Sequence, residues 1–302
     1  MRRLVLSRKG FDSSSGAGAS SPQLPDGRLV SLPIPESTQP MTRPDARTRY
    51  ADLKVDGLDY ARLVRSLYPS RSFDEAAIAH LDPDLAAGTR GGRDRRVFRG
   101  LSGQAGAAAK HLSNQSVCQG DLFLFFGRFR ATESTSDGSL RFAAGNKPFH
   151  AIFGYLEVGE RMDIPPETLE EDRWPPAREW APDFPHFLKT FRKRSAPEIV
   201  YIATKELSFA TSRPGFGLFR FNERLRLTRP ESDRLSAWRL PAAFHKVNLT
   251  YNPHTIKRDW RVRGDHAKFF AAGRGQEFVC EPTPGIETWA QRLVVESDLW
   301  EP

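Results

Sequence analysis

The spacing of apolar residues predicts a helix in the first quarter of the chain. Apolar side chains recur there at i, i+3, i+4, i+7 and i+8, which places them on one face of a helix. Asp56 or Asp59 can cap its start, and Pro69 ends it. A second helix, rich in small residues, is predicted over residues 104–112. The apolar face of the first helix consists of Tyr60, Leu63, Val64, Leu67 and Tyr68.

The pattern becomes strand-like after this second helix. Apolar and aromatic residues fill residues 121–131, 149–158 and 199–203, and residues typical of turns separate these runs. Near the amino terminus, residues 2–6 and 28–32 predict two further short strands. Both faces of the first long strand are apolar, so most of its phenylalanines are expected in the core.

These elements favour an α+β fold. The chain has 302 residues and 39% hydrophobic residues, which is enough for a sizeable core. We predict one domain over residues 1–302. Its core, at about residues 117–280, is predicted to be a central antiparallel β barrel or curved sheet, decorated by helices and long loops.

Charge and cysteine content narrow the classes of function. The chain carries 45 Lys and Arg against 37 Asp and Glu, a net charge of +8, which favours a polyanionic partner such as nucleic acid. Cys118 and Cys280 form no CxxC pair, so no zinc ribbon or disulfide framework is indicated. No apolar run approaches the roughly 20 residues of a membrane span. We expect a cytoplasmic protein without a membrane partner.

The segment SRKGFDSSSG, residues 7–16, gathers polar groups directly after the first predicted strand. Arg8 offers a bidentate fork and Lys9 a point charge, and a glycine-rich backbone can form a nest of N–H groups for phosphate. We predict that Arg8, Lys9 and Ser13 bind a nucleotide or another anion, and that Asp12 is catalytic. The alternative is a solvated loop.

His80, Asp82 and Asp84 alternate in the sequence HLDPD. In an extended segment this spacing places all three side chains on one side. An imidazole and two carboxylates suit a divalent metal such as Mg²⁺ or Mn²⁺, and they also suit a general base with its orienting partner. We predict catalytic roles for His80 and Asp82 and a metal site formed by all three residues. The alternative is an Asp-Pro turn with an incidental histidine.

Two further segments carry candidate chemistry. In RGQEF, Gln276 can read a base edge and Glu277 can accept a hydrogen bond from an exocyclic amine. Glu277 is also a candidate catalytic residue or third metal ligand, and the alternative is a surface strand with an Arg–Glu pair. The arginine-rich loop from Arg90 to Arg99 is predicted to contact phosphate, unless it is simply a solvated charged loop.

A set of phrases spread along the chain indicates a family. LSRKGFDSSSG, AHLDPDL, GQAGAAAKHL, GDLFLFFGRFR, AIFGYLEVGE and GRGQEFV occur in this order between Leu6 and Val279. Together they resemble the nucleotide modification associated domain 3 family, whose members occur in bacteria and phages and were grouped by association with DNA base modification systems. The resemblance implies a ligand that is DNA rather than RNA, or a nucleotide, and other modification enzymes as partners.

Residues 117–160 show a second resemblance. Their strands, around CQGDLFLFFG and HAIFGYLEVGE, are similar to those of PUA-like barrels, including the ASCH and EVE groups. Those folds bind RNA or modified nucleobases. The resemblance implies that the predicted barrel or curved sheet is PUA-like.

The leading hypothesis is an enzyme, or its essential accessory, that modifies a DNA base or nucleotide. Its site would combine the amino-terminal loop, the HLDPD segment and the RGQEF strand. Two alternatives stay open: a non-catalytic reader of modified bases, and a metal-dependent defence nuclease in which His80, Asp82 and Asp84 hold Mg²⁺. No GxGxxG unit or P-loop identifies a cofactor.

Overall fold

The structure is a computed structural model that places strands and helices around one large sheet. The described residues are 2–11, 19–36, 48–55, 57–71, 73–89, 94, 96–164, 177–187, 197–250, 261–271 and 277–300. In chain order, the described strands are β1 (Leu4–Arg8), β2 (Ser21–Gln23), β3 (Ile34–Glu36), β4 (Lys54–Val55), β5 (Leu58–Asp59), β6 (Ile78–His80), β7 (Leu101–Ala105), β8 (Leu122–Ser134), β9 (Leu140–Phe142), β10 (Phe149–Ile164), β11 (Glu198–Ala203), β12 (Glu206–Leu207), β13 (Ala210–Pro214), β14 (Phe216–Phe219), β15 (Ala237–Pro241), β16 (Arg261–Arg263), β17 (His266–Phe270), β18 (Glu277–Cys280) and β19 (Leu299–Trp300).

Helices are fewer than strands in the described part of the chain. The α-helices are α1 (Tyr60–Leu67), α2 (Gly106–Asn114), α3 (Ala177–Trp180) and α4 (Pro284–Glu296). Short 3-10 helices lie at Tyr50–Asp52, Ala87–Thr89, Pro185–Phe187 and Ala242–Lys246. Among the described residues, no helix is long and apolar enough to cross a membrane. The mixed content confirms the α+β class.

The large sheet has ten strands, with the main order β18-β1-β8-β10-β11-β7. β1 runs parallel to β8, and the other neighbours along this path are antiparallel. β2 and β9 pair with β8, while β14 joins β10 to β19. The site described below depends on the two end strands of this path, β18 and β7.

The predicted PUA-like barrel is not confirmed, because none of the described sheets closes into a barrel. The sheet instead curves until its two end strands approach each other: Gln104 of β7 donates a hydrogen bond to Glu277 of β18. The backbone N–H and C=O of Gly103, in β7, bond to the side chains of Asp82 and Lys9 rather than to another strand. Polar side chains therefore occupy the gap between the end strands, and α2 contacts both of them.

The central strand β8 is buried on both faces, as its sequence predicts. Leu122, Leu124 and Phe126 pack into a core with α4 and the strands β15 and β17. Phe123 and Phe125 face the other way, into a core with α2 and β11. Alternation along a strand sends successive side chains to opposite faces, so one strand supports both cores.

Helix α1 also confirms its prediction. It spans Tyr60–Leu67, and the Asp59 side chain accepts a hydrogen bond from the backbone N–H of Arg62 at 2.9 Å. This contact satisfies a backbone donor that the helix itself leaves without a partner. The buried face includes Leu63 and Val64, as the apolar spacing requires.

The helix predicted over residues 104–112 is wrong at its start. Leu101–Ala105 is a strand paired with β11, and α2 begins only at Gly106, which has φ +59°. The small residues of this segment are compatible with a helix or a strand, and hydrogen bonding to β11 stabilises the strand. Residues 28–32 form no strand but only isolated bridges at Arg28 and Leu29.

Candidate functional site

A buried polar cluster lies where the ends of the sheet meet. Ser7 and Lys9 come from β1 and the residue after it, Gln104 from β7 and Glu277 from the start of β18. All four are buried. Ser7 and Glu277 are directly opposite each other in the β1–β18 ladder, which explains why their side chains meet.

Lys9 and Asp82 form the ion pair at the centre of this cluster. Lys9 Nζ lies 2.6 Å from Asp82 Oδ2, and the exposed fractions of the two side chains are 6% and 5%. Lys9 Nζ also donates to the backbone carbonyl oxygen of Gly103 at 3.0 Å. An ammonium group has three N–H donors, so one donor of Lys9 has no partner among the described residues.

The other oxygen of Asp82 is held by β7. Asp82 Oδ1 accepts from the backbone N–H of Gly103 at 2.9 Å and from Ser102 Oγ at 3.2 Å. Burial alone would raise the pKa of Asp82, but Lys9, His186 and His80 outweigh it and hold this pKa well below its usual range. Asp82 is therefore an ionised carboxylate at neutral pH.

Glu277 has the opposite electrostatic character. Its Oε1 accepts from Ser7 Oγ at 2.9 Å and from Gln104 Nε2. Burial raises the pKa of Glu277 to about 7; the charge of Lys9 opposes this rise, and that of Asp82 adds to it. Glu277 Oε2 is buried without a hydrogen-bond partner in the described part of the chain. This carboxyl group can thus gain or lose a proton near neutral pH.

Two histidines complete the cluster. His186 Nε2 lies 3.6 Å from Asp82 Oδ2, beyond hydrogen-bond distance, and its ring meets the ring of His80 edge to face with centroids 5.4 Å apart. Burial lowers the pKa of His186, although Asp82 partly opposes this. A neutral imidazole next to an ionised carboxylate can accept or relay a proton.

Gly103 makes room for His186. A Cβ atom at position 103 would lie far inside van der Waals contact of the His186 ring. The glycine therefore lets β7 pass close to the imidazole while its backbone binds both Asp82 and Lys9.

A metal ion could be held by His80, Asp82 and His186. Each offers a ligand atom, and these atoms lie within 4.8 Å of one another. However, Asp82 Oδ2 is paired with Lys9, and Asp82 Oδ1 accepts two hydrogen bonds from β7. A divalent cation would have to displace the ammonium group of Lys9, so the arrangement suits proton transfer better than metal binding.

The structure brings together only part of the predicted site. Lys9, His80, Asp82 and Glu277 lie in the cluster. Asp84 is not in the group of ligand atoms around Asp82; its backbone pairs with Leu101, and its side chain is buried. The predicted metal set therefore differs from the observed group, which has His186 in place of Asp84.

Four predicted residues remain: Arg8, Asp12, Ser13 and Gln276. Arg8 is buried, with its guanidinium carbon 5.5 Å from the centre of the Phe126 ring. Asp12, Ser13 and Gln276 lie outside the described residues, so their predicted roles stay predictions.

Sequence reasoning missed Ser102, Gln104 and His186. The helix predicted over residues 104–112 includes Gln104, and none of the candidate motifs includes His186. No local pattern marks these residues as polar neighbours of Asp82 or Glu277. The one available signal for Gln104 was its place in the phrase GQAGAAAKHL.

Comparison with known proteins identifies the family. The model of the nucleotide modification associated domain 3 family matches residues 3–281. The chain belongs to this family. The matched range includes all seven residues of the cluster and the end strands that hold them. No curated protein and no solved structure matches the chain. Membership of this family associates the chain with nucleotide modification systems.

Proposed function

We propose that this protein binds a nucleotide or a DNA base and carries out proton transfer on it within a modification system. One observation carries the proposal: two buried carboxyl groups interact with the same lysine, and their pKa values are shifted in opposite directions. Such divergence is the usual basis for assigning acid and base roles to a pair of carboxyl groups. Membership of the family supports the class of substrate.

The proposed roles follow from the unused bonding capacity of the cluster. Glu277 is the general acid or base, because its pKa is about 7 and its Oε2 has no described partner. Lys9 donates a hydrogen bond from its remaining N–H to an anionic or carbonyl oxygen of the substrate. Asp82 holds the ammonium group of Lys9 in position. His186, whose Nε2 lacks a hydrogen bond to described residues, is the second proton-transfer group.

The roles predicted for the other residues remain proposals. Arg8 and Ser13 would bind phosphate, Asp12 would assist catalysis, and Gln276 would read the base edge. The net charge of +8 supports a polyanionic ligand. DNA is preferred to RNA on the basis of the family, and other modification enzymes are the expected partners.

Two other functions are disfavoured by specific contacts. A metal-dependent nuclease requires Asp82 to bind a cation, but Lys9 occupies Asp82 Oδ2. A non-catalytic reader that used the strands of residues 117–160 would need rings there that a base can reach, and Phe123, Phe125, Phe126 and Phe129 of β8 are buried in the cores.

Mass spectrometry of nucleosides tests the proposal. DNA and the free nucleotide pool would be taken from bacteria that express the wild type, Asp82→Asn or Glu277→Gln. Glu157→Gln is the matched control, because Glu157 is an equally buried carboxylate that pairs with Arg2 outside the cluster. We expect the wild type and the control to change the nucleoside profile, by adding or removing one nucleoside. The two cluster variants should leave the profile unchanged.

Other results would refute the proposal. An unchanged nucleoside profile together with DNA binding would indicate a reader. Strand cleavage that requires added Mg²⁺ or Mn²⁺ and is lost in His80→Ala would indicate a nuclease.

A further inference from the structure

A cleft of about 690 Å³ opens beside the β7–β11 pair, separate from the buried cluster. Its volume lies within the range of about 300–1,000 Å³ that is typical of sites for small molecules. The described lining combines aromatic rings with cations. The aromatic side chains are Phe98, Trp180 and Phe216, and the cations are Arg96, Arg99 and Lys205.

Three aromatic side chains form an apolar wall of the cleft. Phe98 is buried and meets Trp180 and Phe216 edge to face, with ring centroids 5.6 Å and 5.7 Å apart. Trp180 and Phe216 are only half-buried, so part of each ring borders the cleft. Half-exposed rings of this kind can stack on a planar heterocycle such as a nucleobase.

The charged side chains of the lining are mostly positive. Arg96, Arg99 and Lys205 are exposed, and Glu160 is the one carboxylate among the described lining residues. Arg96 also pairs with Asp94 at 2.9 Å. Arginine and lysine side chains at such a rim are the usual partners of phosphate oxygens, and an exposed carboxylate can accept from the exocyclic amine of a base.

The cleft is connected to the buried cluster by backbone. Arg99 comes two residues before β7, whose Ser102 and Gly103 bind Asp82. Ile202, which also lines the cleft, pairs with Leu101 of the same strand. A ligand in the cleft would therefore contact the segment that leads into the candidate catalytic cluster.

We infer that this cleft binds a nucleotide unit, with the base against Trp180 and Phe216 and the phosphate at Arg99 and Lys205. For the identity of the ligand, the inference rests on the proposed function. The same chemistry is present in a free nucleoside monophosphate and in a nucleotide within a single strand. The cleft would hold the nucleotide next to the segment from Arg99 into β7, whose Ser102 and Gly103 bind Asp82 of the cluster.

Binding measurements on the full chain test this inference. One arm uses a fluorescently labelled single-stranded DNA of ten nucleotides in fluorescence anisotropy. The other uses the four deoxynucleoside monophosphates in isothermal titration calorimetry. The variants are Trp180→Leu, which keeps an apolar side chain, and the exposed Lys205→Ala. Lys147→Ala is the matched control, because it removes one exposed positive charge that pairs with Asp233 and does not line the cleft.

We expect Trp180→Leu to weaken binding about fivefold or more, the usual minimum for loss of one stacking partner. Lys205→Ala should lower the slope of log K against log salt concentration by about 0.7 for the single strand. Lys147→Ala should change the affinity and the salt slope much less than the two cleft variants do. If only the single-stranded DNA binds, the ligand is a polymer. If the monophosphates bind as well, a single nucleotide is sufficient for binding. Both results support the inference.

The inference is overturned if neither ligand binds, or if Lys205→Ala cannot be distinguished from Lys147→Ala. These failures are separable from failure of the proposed function. Binding that depends on Lys205 without any change of nucleosides in cells would refute only the proton-transfer proposal. A change of nucleosides that persists in Trp180→Leu and Lys205→Ala would refute only the assignment of the cleft.

Discussion

Replacing Lys9 by methionine should destabilise the protein strongly. The substitution keeps most of the side-chain volume and removes the charge that lies 2.6 Å from Asp82 Oδ2. With an exposed fraction of 5% for the Asp82 side chain, water cannot replace the lost partner. Leaving one member of a buried ion pair uncompensated typically costs about 3–5 kcal/mol, so we expect a loss of this size in the free energy of unfolding.

A double-mutant cycle shows whether this cost comes from the ion pair. Asp82→Asn should also be destabilising, because it leaves Lys9 buried without a counter-charge. The double variant, Lys9→Met with Asp82→Asn, buries no uncompensated charge at these positions. The double variant should therefore lose less unfolding free energy than the two single variants lose in sum. The difference should be roughly 2 kcal/mol or more, within the range measured for residues in one network.

The measurement is urea unfolding at pH 7, followed by circular dichroism. At this pH Asp82 is ionised in the folded state, because its pKa is lowered. Lys147→Met, at an exposed ion pair with Asp233, is the control and should change the midpoint little. Additive losses in the cycle, or a Lys9→Met loss no larger than that of the control, would refute the electrostatic account of the cluster.

Three further predictions concern other groups. Because the pKa of Glu277 is raised from 4.5 to about 7, its contribution to stability is present below pH 4.5 and is lost as the pH rises to about 7. Glu277→Gln should remove roughly 2–3 kcal/mol of the difference in unfolding free energy between urea titrations at pH 5 and pH 8, and an equal difference in both proteins would contradict this. Gly103→Ala should displace His186 and abolish the nucleoside change, and full activity would show that the close packing is not required. His150→Phe should cost about 1–3 kcal/mol by leaving the buried Trp238 Nε1–H, 3.0 Å from His150 Nδ1, unpaired, and an unchanged unfolding midpoint would disprove it.

Local sequence patterns predicted the elements whose partners are close in the chain. Helix α1 follows from the apolar spacing around Leu63 and the cap at Asp59, both of which lie within a few residues. The burial of both faces of β8 follows from its continuous apolar run. Such patterns depend on short-range geometry alone, and the structure confirms them.

Candidate residues could be named from the sequence because their chemistry is a property of the side chain. Candidates of this kind are Lys9, which can bind an anion, and His80, Asp82 and Glu277, which can transfer protons. Their roles depend on environment, however. Burial acts in the same direction on both carboxyl groups, but the charge of Lys9, with the two histidines, outweighs it at Asp82 and lowers that pKa, whereas burial prevails at Glu277 and raises its pKa.

The sequence by itself therefore determined the composition of the site, the local elements and the resemblance to a family. Only the tertiary structure decided which of these groups meet. Lys9 and Asp82 are 73 residues apart, and Gln104 and Glu277 are 173 apart. These contacts depend on strand pairing and on the curvature that brings β7 towards β18, and His186 enters through the same packing. Contacts at such separations are set by the arrangement of the whole sheet, about which a local pattern carries no information.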